Sequence, residues 1–327
     1  MQKIVVGVDI AKDKFDVALL RDDKYKTRIF KNNKNGFAEF ISWLSNYDSQ
    51  HAYVCLEATG IYGEALSNYL FENNILVSVV NPAQIKGFGV SELSRTKTDN
   101  ADAKLIARFC LAMNPTLWKP LPKEIRELRG LVKRLESLNA IRREEKNRLE
   151  VSIDIVKDSI EKIIDVIDTE IKDLKDRINN HIDGNSALQE KKALLSSIPG
   201  VGEATIAQIL SMMCTPERFS TPKQLASFAG LNPRHRQSGS SLNGRSHISK
   251  TGDTNFRKAL YMPAISAKQH NPILKALYDR LLAAGKPKML AICAVMRKLL
   301  HLIYGVLKSG VAFDPNYNPK KELAAAI

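Results

Sequence analysis

The sequence has few cysteines and does not group them. Cys55, Cys110, Cys214 and Cys293 are the four in 327 residues, and no two form a CxxC pair. This spacing argues against a zinc knuckle or a disulfide framework and predicts reduced core thiols in a cytoplasmic protein. The six histidines form no HExxH signature, which removes the common zinc-hydrolase arrangement. Uninterrupted apolar runs of spanning length are also missing. The best stretch, Met289 to Leu307, is broken by Arg297, Lys298 and His301. Because MQKIVVGVDI leads straight into a strand-like run, neither a signal peptide nor a membrane span is expected.

Acid is the other shortage. Lys and Arg total 49 against 35 Asp and Glu, a net charge of +14. Such an excess attracts polyanions, nucleic acid first among them. A membrane surface would call instead for a basic amphipathic anchor or a lipidation motif.

The patterning predicts three parts. Over residues 1–117, KIVVGVDI, KFDVALL and YKTRIF read as three short strands. A helix around Phe37 to Leu44, the strand AYVCLEA, a helix near Gly63 to Phe71 and the strand ILVSVV follow. Asn81-Pro82 closes that strand, and a last helix ends at Asn114-Pro115. The order β-β-β-α-β-α-β-α is that of an α/β domain. Over 118–185, Ile153, Val156, Ile160, Ile163, Ile167, Ile171, Leu174 and Ile178 form a helical seam of coiled-coil type. An arginine-richer segment with the same rhythm precedes it, so a helical hairpin or an oligomerisation arm is expected. Residues 186–327 read as mostly helical and basic. There, SIPGVGEA places Pro-Gly-Val-Gly between two helices, either as a tight turn or as a helix-hairpin-helix offering backbone N–H groups to a phosphate.

Four acids can meet. Asp9 and Glu57 each end a strand, so parallel neighbouring strands would set their carboxylates side by side at the sheet rim. Asp99 and Asp102 stand three apart at a helix start and share one face. Singly, Asp9 could cap a turn, and the helical pair could answer the helix dipole. Together they would repel one another unless cations sat among them, and Mg²⁺ prefers such hard oxygen ligands. Two ions about 3.5–4 Å apart can hold the attacking and leaving oxygens of a phosphodiester. The four acids on this element pattern suggest an RNase H-like nuclease core. VVGVDIAKDKFDVALL also resembles the first phosphate hairpin of actin-like ATPases, but the second glycine-rich hairpin those chains need is absent.

One stretch, RHRQSGSSLNGRSHISK (residues 234–250), has the composition of a solvated loop. From Arg234 to Lys258 there are six Lys or Arg and one acid, Asp253, a density that suits nucleic acid. A serine here would need a base or a metal to become a nucleophile. His235 and His247 are the local bases on offer. Arg234, Arg236, Arg245 and Lys250 can bind a phosphate backbone. Spacing alone does not choose among Ser238, Ser240 and Ser241.

GVDIAKDKFDV, CLEATGIYGEAL, VSVVNPAQIKGF, SRTKTDNADAKLIARFC, SIPGVGEATIAQIL, LASFAGLNPRHRQSGSS and RKALYMPA together resemble the insertion-sequence DEDD transposases of the IS-one-ten group, to which the Piv-type invertases are related. The resemblance runs through YGVLKSGVAFD and covers nearly the whole chain. It implies a RuvC-like catalytic domain (1–117) whose Asp9, Glu57, Asp99 and Asp102 bind Mg²⁺, with Mn²⁺ as a substitute. It also implies a helical connector or oligomerisation arm (118–185) and a C-terminal transposase domain (186–327) with Ser238 as nucleophile. It further implies donor and target DNA as substrates, a structured non-coding bridge RNA as guide, and a homo-oligomer between dimer and tetramer.

Overall fold

Short β-branched segments supply the sheet of the first half of the chain. In the computed structural model these are β1 (Ile4–Ile10), β2 (Lys14–Arg21), β3 (Lys24–Lys31), β4 (Ala52–Glu57) and β5 (Leu76–Val80). The structure describes residues 4–47, 52–58, 60, 62–93, 98–213, 219–238 and 242–316, with backbone alone over 235–238 and 242–246. Two compact units are present, 1–121 and 122–327.

In the first unit the strand order is β3-β2-β1-β4-β5. β1, β2 and β3 form an antiparallel meander, whereas β4 and β5 run parallel to β1. This is an RNase H-like sheet. Ile4 to Val8 in central β1 are all buried, as a strand covered on both faces requires. One face carries α1 (Lys34–Ser45) and α2 (Glu64–Glu72), with Phe37, Phe40 and Trp43 of α1 packed on Phe15 and Phe30 of the sheet. The other carries α3 (Pro82–Ser91) and α4 (Asp99–Met113), whose Leu105, Ile106, Phe109 and Cys110 pack on Val5, Tyr53 and Cys55. Burying Ile106 and Phe109 contributes about 1.5–3 kcal/mol each.

Helix α3 was not expected, since Asn81-Pro82 reads as a strand stop. Asn81 in fact caps the helix, its side chain accepting from the Ala83 N–H, with Pro82 in the first helical turn. Proline is preorganised for that position and lacks the N–H that would go unsatisfied there.

The second unit begins with α5 (Lys123–Val151) and α6 (Asp154–Asp183). They fold back on each other as an antiparallel hairpin: His181 Nε2 lies 2.8 Å from the Glu124 carbonyl, and Arg142 pairs with Asp168. Ile167, Ile171 and Leu174 meet Leu138 between the helices. The seam divides at that point. Ile164 to Ile182 are buried at spacings of three and four, whereas Ile153, Val156 and Ile163 near the tip are exposed.

Beyond this hairpin lie α7 (Ser186–Ser196), α8 (Glu203–Met213), α9 (Pro222–Phe228), α10 (Thr254–Ala259), α11 (Tyr261–His270), α12 (Pro272–Ala283) and α13 (Lys288–Ser309). α13 is long and apolar enough by composition to cross a membrane. Leu299, Leu300 and Ile303 are nonetheless fully buried, and α13 packs against α7, α9, α11 and α12, which is how a core helix behaves.

Among the described residues of the serine-rich stretch, most lie in strands. β6 (Pro233–Ser238) and β7 (Leu242–Ile248) pair antiparallel, with an irregularity between Arg234 and Arg236. Its polar residues show no apolar alternation, so the strand signal was hidden. A two-stranded ribbon is marginal by itself, and this one is held at its base. Ser249 N–H donates to the Asn232 carbonyl, Lys250 N–H to Gly230 and Asp253 N–H to Phe228. The Arg257 guanidinium donates to the carbonyls of Ala229 and Lys250. Gly252 has no substitute here: its φ is +148°, and a Cβ would lie 2.3 Å from the Phe228 carbonyl oxygen.

Candidate active site

Strand alternation sets the faces. Val5, Gly7 and Asp9 of β1 point toward α4, as do Tyr53, Cys55 and Glu57 of β4. In the parallel register Val8 lies beside Leu56, and one further step brings Asp9 beside Glu57. On the other flank Asp9 is the direct antiparallel partner of Asp16. Three carboxylates therefore stand on three adjacent strands, at one rim and on one face, roughly 5 Å from strand to strand.

α4 brings two more. Thr98 caps it, accepting from the Ala101 N–H through Oγ1, and Asp99 and Asp102 occupy the first turn. The helix reaches the rim because Gly7 lets it approach. A Cβ at that position would lie 2.1 Å from the Ala103 carbonyl oxygen and 2.3 Å from the Ala107 nitrogen, both of the α4 backbone.

The electrostatics register this convergence. The Asp9 carboxyl is raised from 3.8 to about 6, first by burial and then by the charges of Asp102, Asp99, Glu57 and Asp16. All four acids expected from the sequence are thus brought together in one field. Lys14, which the sequence reading overlooked along with Asp16, answers that field. Its ammonium lies 2.8 Å from Asp99 Oδ2 and 3.0 Å from Asp16 Oδ2. These bonds push Lys14 up to about 12 and hold Asp99 below its ordinary value. The missed signal is the hairpin arithmetic: a turn centred on Lys12 and Asp13 sets Asp16 opposite Asp9.

The donor set is all carboxylate oxygen, which fits a hard divalent cation. Among the described residues, however, no three ligating side chains already stand gathered as a metal site, and Lys14 occupies Asp99.

In the second unit Ser238 ends β6, opposite Leu242. Its side chain, those of Arg236 and Arg245, and all of Ser240 and Ser241 lie outside the described residues. Arg234 is exposed and pairs in register with His247, and Lys250 is exposed with a left-handed φ of 54°.

Residues 6–157 match the DEDD transposases of IS110, and residues 192–279 match the family Transposase IS116/IS110/IS902. The pilin gene-inverting protein of Moraxella lacunata is 34% identical over 317 residues, 96% of this chain and 98% of its own. Its Moraxella bovis counterpart gives the same figures. A 43.6 kDa protein of insertion element IS110 from Streptomyces coelicolor is 28% identical over 53% of this chain and 42% of its own. Among solved structures, Thermus thermophilus RuvC in complex with a Holliday junction substrate is 18% identical, with a TM-score of 0.28. It covers 36% of this chain and 99% of the RuvC chain. The RNase H-like assignment rests on the strand order and not on that likeness. With both catalytic-domain and C-terminal motifs matched, and a full-length relative at 34% identity, this chain belongs to the IS110 family of DEDD transposases, enzymes of DNA recombination.

Proposed function

We propose that the protein cleaves and rejoins donor and target DNA through a covalent phosphoserine link, using divalent cations held by Asp9, Glu57, Asp99 and Asp102. The observation that supports the metal part of this reading is the convergence of Asp9, Glu57, Asp99 and Asp102 at one sheet rim, where burial and the neighbouring charges raise the Asp9 carboxyl. Mg²⁺, as two ions or with Mn²⁺ in its place, would polarise the scissile phosphate and favour a serine alkoxide. Asp9 and Glu57 supply rigid strand-end oxygens, whereas Asp99 and Asp102 supply oxygens from a helix turn.

Ser238 Oγ attacks phosphorus. Its proton leaves to water, the Oγ–P bond forms, and the P–O bond to the departing deoxyribose breaks, that oxygen taking up a proton. The phosphoserine ester conserves the bond, so a second strand's hydroxyl can displace Ser238 and rejoin without ATP. Arg234, Arg236, Arg245 and Lys250 offset phosphate charge along the β6–β7 hairpin. The α7–α8 turn, with its Pro-Gly-Val-Gly, adds a backbone phosphate contact of helix-hairpin-helix type.

Residues 118–185 act as a coiled-coil arm joining copies of the chain into a dimer or tetramer. The exposed tip supports this: Val151 is 86% exposed, Ile153 71% and Ile155 85%. The family resemblance alone assigns a bridge RNA as a further partner; the net charge of +14 suits RNA and DNA equally. Function in the cytoplasm follows from a DNA substrate.

The test is a pair of variants on a DNA substrate carrying donor and target sites. Ser238→Ala abolishes the denaturant-stable protein–DNA adduct and strand exchange while retaining DNA binding. Asp102→Asn abolishes both reactions at any Mg²⁺ concentration. Strand exchange by Ser238→Ala at the wild-type rate refutes the serine and leaves a RuvC-like nuclease that uses water.

A further inference from the structure

We propose that Lys14 is a resident cation that neutralises Asp99 while the acid cluster holds no divalent ion and yields Asp99 when one binds, with Asp16 retaining the ammonium at the rim. The inference rests on the reading of Asp9, Glu57, Asp99 and Asp102 as metal ligands and adds two positioning residues to it.

The two carboxylates that share Lys14 differ in burial. The Asp16 side chain is 9% exposed and comes from a strand paired on both sides, whereas the Asp99 side chain is 59% exposed and comes from a helix start. Asp16 is thus a fixed anchor, and Asp99 can turn. Lys14 itself rises from the first residue of β2, the same strand as Asp16 and two residues away, so the Lys14–Asp16 pair persists whatever α4 does. The Lys14–Asp99 bond spans two elements and is the exchangeable one.

Lys14 sits between two of the five acids that share one field. Without a counter-ion, their mutual repulsion would force Asp99 outward into solvent. Lys14 holds Asp99 near the rim instead, but directed at an ammonium. A divalent cation would offer Asp99 twice the charge of the ammonium, and Lys14 would then keep its bond to Asp16. No proton needs to move in this exchange, because Lys14 stays charged in both states.

The experiment is Mn²⁺ titration of the full-length protein, read by the paramagnetic resonance signal of free Mn²⁺, so turnover is not required. Lys14→Met keeps the length of the side chain and removes its charge, and it should bind Mn²⁺ about two- to fivefold more tightly, the range an exposed ion pair is able to withhold. Lys14→Gln, a second variant in case Met disturbs folding, should shift in the same direction. Lys12→Met, a neighbouring lysine with no bond to the cluster, controls for bulk charge and should leave affinity unchanged. Asp16→Asn leaves Lys14 wholly to Asp99 and should weaken Mn²⁺ binding, and that weakening should be smaller in the Lys14→Met background, where only the loss of the Asp16 charge remains. Unchanged or weaker binding by both Lys14 variants overturns the proposal, as does an Asp16→Asn effect of the same size with and without Lys14. Wild-type protein whose Mn²⁺ binding is absent, or is indifferent to Asp102→Asn, overturns the metal reading beneath it and the proposal with it.

Discussion

Substituting Gly7 by alanine tests whether backbone approach builds the site. A Cβ there meets the Ala103 carbonyl oxygen at 2.1 Å and the Ala107 nitrogen at 2.3 Å, both main-chain atoms of α4 that no rotamer change can move. α4 must retreat by roughly 1 Å for these contacts to reach the shortest distance that real Cβ atoms make. Overpacking of this kind costs about 1–3 kcal/mol, and the gap opened along Ile106 and Phe109 adds to it. For a unit of this size the loss corresponds to a melting shift of about 5–15 °C. Trp43 and Trp118 are the two tryptophans and both lie in the first unit, so their fluorescence reports its unfolding without interference from the second. Gly87→Ala, at a position where a Cβ meets nothing within 4 Å, serves as the control and should not destabilise. Because α4 carries Asp99 and Asp102, a displacement of about 1 Å should also lower strand transfer by about 100-fold. A Gly7→Ala protein melting within 2 °C of wild type would refute the argument that close β1–α4 contact places the acids.

Two further outcomes follow from the electrostatics and from the hairpin base. The Asp9 carboxyl is raised to about 6, above its ordinary 3.8, so its ionised form opposes folding. The penalty is absent below about pH 4 and complete above about pH 6. Asp9→Asn should therefore stabilise the protein in metal-free buffer at pH 8, by about 1 kcal/mol once solvent screening of this half-exposed group is allowed for. The gain should fade as the pH falls toward 4; a melting curve that is pH-independent in its difference from wild type contradicts it. Arg257→Ala removes the guanidinium that donates to Ala229 and Lys250. Amide exchange over residues 233–248 should speed up by about tenfold while α11 to α13 stay protected, and uniform protection across both regions speaks against the clamp.

Much of the first unit was legible because its signals are periodic. β-branched runs ending in Asp9 and Glu57, and an apolar helix face starting at Thr98-Asp99, encode both the sheet and the direction of its acids. Asn81-Pro82 was misread because one dipeptide serves two purposes: it ends β5 and caps α3. The α5–α6 seam was legible as a helix but not in extent, since period alone does not say where a partner helix stops. The chain buries Ile164 to Ile182 and leaves Ile153 and Ile155 outside. The β6–β7 ribbon left no trace in hydropathy, because its sequence carries no apolar alternation; its strands pair through backbone groups, and Gly252 and Arg257 hold its base.

The part of the site that escaped the sequence reading is the part defined by register. Asp9 and Glu57 announce themselves as polar residues at the end of an apolar run, and Asp99 and Asp102 as a pair three apart at a helix start. Lys14 and Asp16 are the first and third residues of β2, where a charged residue passes for solvent-facing alternation. Only the pairing of Asp16 with Asp9 across β1 and β2 turns that residue inward, to 7% exposure, and gives Lys14 an anchor. A buried carboxylate without a cation is costly enough that folding would select against it. The Lys14 ammonium 3.0 Å away supplies that cation, so Lys14 and Asp16 make sense together or not at all. The same pair then fixes the charge that any incoming ion must displace, which ties the folding of β2 to the chemistry at the rim of β1.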